Sequence, residues 1–442
     1  MSDRGSQQPV SASGSGGSPP PALPDINAET YPFDTVLHML DEAAYLNMYS
    51  VPAGGQSQPI LGGEGLGGAI GLKVRERLHR FSIVMDVPER NRVINHNTIG
   101  EQVAHFEHRW LFAPDGFPAL PTREPPETGF DPSRSQRFVM LDSVCTFENG
   151  KDGFRGFGTG RTYPAQNGGQ SPLLAGAVGS ILEGFGKFKG HEGTYTYCGT
   201  LSPQEGFRGS VLCRVVDPQG NLRTESSLPS LEAGPEPEPG ITYFMFRGQK
   251  RDRNQKTEYN IGPDGQVAGL NVHQQLRQVT IDFAARGRGG PRSSISLGPT
   301  IGNMAASILF NLLNPGAPGT ALSPIPFKSY NQYSFTDQHG RDIGVVEADG
   351  GEGRTFNLTL AGAPGQRALR FGGVGPIVKG SGFFEGIKGL MADNSVVGVA
   401  PHALSTLYIL RVNDPDGRYR RAFHGGNNSC RRDVERLIDA CR

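Results

Sequence analysis

The sequence predicts a mainly β protein: two tandem antiparallel closed β-barrels, with a few short helices and a disordered N-terminus. Three observations carry this expectation. Strand-like runs recur through both halves, glycines alternate with bulky residues inside them, and one half of the chain repeats the other. A length of 442 residues suits two or three domains at roughly 150 residues each. The 43 basic and 43 acidic side chains balance, which argues against nucleic acid or an anionic membrane surface as the main partner. No apolar run approaches the ~20 residues of a membrane-spanning helix, so no membrane span is expected. Five scattered cysteines imply no disulfide framework, and the start of the chain lacks the pattern of a secretory signal. A cytoplasmic location is the expectation.

In chain order, residues 1–25 are rich in Gly, Ser, Pro and Gln, which predicts a disordered tail. A lead-in at 26–75 holds an amphipathic helix over 33–48, where Phe33, Val36, Leu37, Leu40, Ala44 and Met48 follow helical spacing, and then a glycine-rich loop. The first barrel is assigned to 76–224, with strands at 81–87, 103–112, 138–147, 194–198 and 211–216. A proline-heavy stretch at 113–136 interrupts them as a long surface loop. A Pro/Glu-rich linker at 225–240 leads into the second barrel, assigned to 241–422. Strands are expected there at 241–246, 333–335, 355–360, 368–371 and 405–412, with a hairpin over 256–270 turning at Pro263-Asp264-Gly265. Residues 304–313 read as a buried helix stopped by Pro315-Gly316, and 423–442 as a helical tail.

The repeat is the most informative feature. Residues 178–193, VGSILEGFGKFKGHEG, match 374–389, VGPIVKGSGFFEGIKG, without a gap. Gly179, Gly184, Gly186, Gly190 and Gly193 fall on Gly375, Gly380, Gly382, Gly386 and Gly389, and Phe188 falls on Phe384. After one residue of slippage, 211–223 matches 408–420, both containing an Asp-Pro-x-Gly turn. Upstream, Gly160-Arg161-Thr162-Tyr163 resembles Gly353-Arg354-Thr355-Phe356. Gly156, Gly158 and Gly160 lie two apart, hence on one strand face. A face stripped of side chains lets a sheet curl tightly or leaves open volume inside a closed barrel.

Strand pairs running through G-x-G-x-F-x-G after a GRTYP-like strand resemble the allene oxide cyclase and dirigent barrels, a calycin-like group. The resemblance covers about 138–223 and 337–420, and lipocalin-like barrels share the general pattern. It implies an eight-stranded antiparallel barrel whose apolar lumen shapes a reactive polyene or radical, and relatives that act as cyclases. No catalytic residue of the family is carried over to this chain.

Read as a strand, 104–112 places Phe106, His108, Trp110 and Phe112 on one face and His105, Glu107 and Arg109 on the other. An aromatic face with one histidine could grip a planar apolar ligand beside a proton donor or acceptor; a hydrogen-bonded core histidine explains it as well. Tyr195 and Tyr197 share a face and would line the same lumen. Asp142, flanked by apolar residues, is the acid/base candidate if it turns inward, with His108 as the second catalytic candidate. Gly63-x-Gly65-x-x-Gly68 has no preceding strand, so no dinucleotide site is expected; the reading calls for no cofactor and no metal. The leading function is a cofactor-independent small-molecule cyclase or isomerase acting on an apolar substrate, in secondary metabolism. Its alternatives are a non-catalytic carrier of an apolar ligand and a structural scaffold of filled barrels.

Overall fold

The computed structural model describes residues 34–51, 58–59, 69–86, 94–112, 135–166, 172–202, 206–217, 222, 238–249, 257–263, 267–284, 290–310, 325–337, 339–359, 367–397 and 405–420. The expected tail at 1–25, most of the loop at 113–136, most of the linker at 225–240 and the helical tail lie outside them. In the first half the strands are β1 (Asp34–Val51), β2 (Gln58–Pro59), β3 (Ala69–Asp86), β4 (Ile94–Phe112), β5 (Gln136–Phe147), β6 (Gly153–Tyr163), β7 (Leu173–Phe185), β8 (Gly193–Ser202) and β9 (Gly206–Val216). In the second they are β10 (Ile241–Gln249), β11 (Thr257–Ile261), β12 (Val267–Ala284), β13 (Arg292–Phe310), β14 (Ile325–Thr336), β15 (Asp342–Thr359), β16 (Arg367–Gly382), β17 (Gly389–Val397) and β18 (Ser405–Asn413). The one helical element among the described residues is a single 3-10 turn, Gly186–Phe188. No helix there is long and apolar enough to cross a membrane.

Two expected helices are strands. The segment 33–48 lies in β1, which pairs antiparallel with β3 on one side and with β9 on the other. That double pairing closes β1 and β3–β9 into an eight-stranded barrel, with β2 added at the rim. Without β1, both β3 and β9 would present an open row of backbone donors and acceptors, a demand that local spacing does not reveal. Of the expected lead-in at 26–75, residues 34–51 and 69–75 are therefore part of the barrel wall. The segment 304–313 opens in β13, where Met304, Ala306 and Ile308 are buried while Asn303, Ser307 and Leu309 are exposed. This is a period of two, and the cross-strand partners on β12 and β14 take up the backbone groups. The hairpin of β11 and β12 forms as expected.

The second sheet follows the order β10-β18-β17-β16-β15-β14-β13-β12-β11. It curls until β10 also meets β12, through Phe246, Arg247, Gly248 and Gln249 against Gln278, Arg277, Leu276 and Gln275. The repeat is visible in the backbone. Gly186 and Gly382 both take φ of 62°, and Gly190 and Gly386 take 77° and 76°. These left-handed positions turn β7 into β8 and β16 into β17 the same way, and a β-carbon would be strained at each. The turn drops Phe188 and Phe384, both fully buried, into equivalent places.

The two halves pack side by side through the outer faces of β7–β9 against β16–β18 and of β3 against β10 and β12, where Phe81, Ile83, Tyr243, Met245 and Ile281 form a buried cluster. Gly176 admits Val374, and its repeat counterpart Gly372 admits Val178. Thr194 Oγ1 donates to Asn394 Oδ1 at 2.9 Å, and Cys198, the counterpart of Asn394, lies 3.7 Å from the carbonyl of Leu390, the counterpart of Thr194. Contacts that map onto themselves when the halves are exchanged define an isologous seam. Buried arginines complete it: Arg214 Nη1 donates to the Asn394 and Ser405 carbonyls at 3.2 and 2.6 Å, and Arg411 pairs with Glu238.

Candidate functional site

The lumen of the first barrel is occupied by its own side chains. Phe106, Trp110, Tyr195 and Tyr197 all point inward and are fully buried in one cluster. The Trp110 and Phe138 rings stack at 4.3 Å, and Tyr197 meets Phe207 at 4.4 Å. The glycine face of β6 does turn inward, and aromatic side chains from other strands lie against it. The Tyr195 ring lies against Gly156, Gly158 and Gly179, and Phe138 fills the place beside Gly160. Alternate omission of side chains here seats aromatic rings edge-on to the wall.

Within this packing lies a buried polar row. Trp110 Nε1 donates to His108 Nδ1 at 2.6 Å, so the ring proton sits on Nε2, which faces Glu76 Oε1 at 3.0 Å. Burial lowers the His108 pKa to about 3, which keeps the ring neutral. Both ring nitrogens are engaged, and Phe106 stacks on the imidazole at 4.8 Å. His108 is thus a satisfied core histidine.

Asp142 does not face the lumen. It sits at a bulge where the β5 register shifts against both β4 and β6, with φ of 52°. Phe138 and Met140 point inward before the bulge and Ser143, Cys145 and Phe147 after it, so the extra residue is expelled. Its carboxylate pairs on the surface with Arg109, and the side chain is 65% exposed.

The interior of the second sheet holds a different set. Asp393 on β17 faces Tyr408 on β18 directly, and Phe246 on β10 continues the row. The Phe246, Tyr333 and Tyr408 rings form a cluster with centroids 5.2 to 5.5 Å apart. On the other side, Gly373 makes room: a β-carbon there would lie 2.7 Å from Asp393 Oδ1. Ser395 Oγ donates to Asp393 Oδ2 at 3.1 Å and lies 2.9 Å from Thr406 Oγ1. Burial raises the Asp393 pKa to about 7, against the hydrogen bonds from Ser395 and the Gly373 backbone, which favour the charged form. The Tyr408 hydroxyl is taken by Gln274 Oε1 at 3.3 Å and by the Met304 sulfur at 3.8 Å. The Tyr333 hydroxyl is buried with no hydrogen-bond partner among the described residues.

One end of this interior is plugged by Phe244, Phe335, Phe384 and Tyr419, with Phe335 and Phe384 at 5.0 Å. The two halves place their polar groups in the same layer. Glu76 faces Phe106 across β3 and β4, as Gln274 faces Met304 across β12 and β13. The flanking residues correspond, Val74 and Leu78 against Val272 and Leu276, so the repeat extends to these strands as well. Sequence reasoning missed Asp393, Tyr333, Tyr408, Gln274 and Glu76. The signal for Asp393 was present: four residues past the end of the gapless match, it falls on Tyr197, already assigned to the lumen.

The chain matches no family model, no curated protein and no solved structure.

Proposed function

We propose that the chain is a cofactor-independent small-molecule isomerase or cyclase. Its second sheet serves as a second closed barrel, whose lumen holds an apolar substrate for proton transfer. The observation that supports this most is Asp393, a buried carboxyl set among aromatic rings and brought by burial to about 7. A group near the working pH is present in quantity both as base and as acid, the condition under which general acid–base catalysis is most effective. Proton removal and return at one carboxyl changes no oxidation state. The first barrel, filled and with His108 satisfied, acts as the supporting half.

The test is an incubation of small-molecule extracts with the whole chain and with Asp393→Asn, read by mass spectrometry. The expected result is a compound converted to a product of identical mass by the parent chain alone, with a rate that rises through about pH 7 as Asp393 ionises. Retention of a ligand with no conversion would mark a carrier. Neither retention nor conversion would leave a scaffold of filled barrels.

A further inference from the structure

The polar atoms facing the interior of the second sheet differ in what they have left to give. Tyr408 spends its hydroxyl on Gln274 and Met304. Asp393 is held in place by Ser395. Tyr333 on β14 has a fully buried hydroxyl with no acceptor among the described residues, although its ring packs 5.2 Å from Tyr408. A buried phenol without a partner is destabilising, a cost relieved when a ligand supplies an acceptor. The Tyr333 phenol also feels the Asp393 and Tyr408 groups electrostatically, so an acceptor bound at Tyr333 lies within the same small region as the carboxylate.

We propose that the substrate is an apolar carbonyl compound with a removable α-hydrogen, its oxygen received by the Tyr333 hydroxyl and its α-proton by the Asp393 carboxylate. This rests on the reading of the interior as an acid–base site. In the first step the α C–H bond breaks, the proton goes to a carboxylate oxygen of Asp393, and the electron pair forms the C=C bond of an enolate. The charge that builds on the carbonyl oxygen is met by the Tyr333 O–H. In the second step Asp393 returns the proton to the same carbon or to the far carbon of a conjugated enolate, and the carbonyl re-forms. Atoms and electrons balance within substrate and carboxyl: return to the same carbon gives exchange of the α-hydrogen, and return to the far carbon gives a double-bond isomer. Tyr408, Phe246 and Tyr333 present rings to a flat, conjugated compound, while Gly373 gives its side-chain place to the Asp393 carboxyl and Gly248 gives its own to Gln274 and Tyr408, which brings these polar groups close to the wall.

The experiment follows α-proton exchange of β-tetralone and cyclohexanone in heavy water by NMR, using the full chain, alongside binding of β-naphthol as a planar enol mimic. Exchange above buffer is expected, lost by about 100-fold or more in Asp393→Asn. Tyr333→Phe, which removes one oxygen and leaves the ring, is expected to lower exchange by about 100-fold while keeping the pH inflection of Asp393. Binding of β-naphthol without exchange of either ketone would overturn the inference. So would an isobaric conversion in extracts that depends on Asp393 but whose substrate has no carbonyl, and then the acid–base reading would stand alone. Exchange with no dependence on Tyr333 would remove that residue from the step. Neither binding, exchange nor conversion would take down both.

Discussion

Replacing Asp393 by Asn tests the central electrostatic claim without any knowledge of the substrate. The side chain is 6% exposed, and burial moves its pKa from the usual 3.8 to about 7. Each unit is worth about 1.4 kcal/mol, so the folded state disfavours the ionised carboxylate by an amount on the order of 4 kcal/mol. The direction follows from proton counting. Between about pH 4 and about pH 7 the folded chain holds a proton that the unfolded chain has released, so this group makes stability fall as pH rises through that window and level off above it. Asn cannot ionise and has nearly the same shape, so its chain lacks that decline. Relative to the parent, Asp393→Asn should gain up to about 4 kcal/mol on going from about pH 4 to about pH 8, after a small cost at the acid end for a rearranged Ser395 hydrogen bond. Urea midpoints of both chains across this range measure it, with fluorescence and circular dichroism compared to confirm a single transition. Parallel curves for the two chains would show that the carboxyl is not desolvated, and the acid–base assignment would fall with it.

Four further outcomes are expected. Gly179→Ala should destabilise by about 2–3 kcal/mol, because its β-carbon would overlap the Tyr195 ring, and Tyr195→Leu in the same chain should recover part of the loss. His108→Ala should cost about 3–5 kcal/mol in urea denaturation, since it empties a buried ring and leaves the Glu76 carboxylate buried without that partner. Asp142→Asn should stay within about 0.5 kcal/mol of the parent in stability and leave turnover unchanged, because the side chain is solvated on the outer wall. Asn394→Ala should weaken the seam by about 2 kcal/mol, seen as a lower thermal midpoint, since it removes contacts to Thr194 and Leu212.

What could be read from the chain depended on the range of the signal. The β class and the duplication are local and self-consistent: alternation places Phe106, His108 and Trp110 on one face, and the gapless glycine match returns as identical turns at Gly186 and Gly382. The apolar residues of β1 satisfy helical spacing, while the fact that makes it a strand is the pair of edges it must cover about 130 residues apart along the chain, as Leu40 pairs with His79 on one side and Ser210 on the other. Asp142 was aimed inward by a strict period of two, and one inserted residue at a bulge reverses the parity from Ser143 onward. Glu76 escaped because Arg75 and Arg77 flank it, which reads as a solvated segment, although Val74 and Leu78 share its face. The glycines were legible as a geometric need but not as a vacancy: aromatic side chains from other strands occupy what they leave.

The reciprocal contacts across the seam, Gly176 on Val374 and Gly372 on Val178, are those that two identical molecules would make about a dyad. Joined in one polypeptide, the copies no longer have to change together. A histidine locked between tryptophan and glutamate can then accumulate in one of them as pure framework, while its twin keeps an acid and a bare phenol facing inward. Covalent union thus lets a symmetric pair carry two different interiors behind one shared seam.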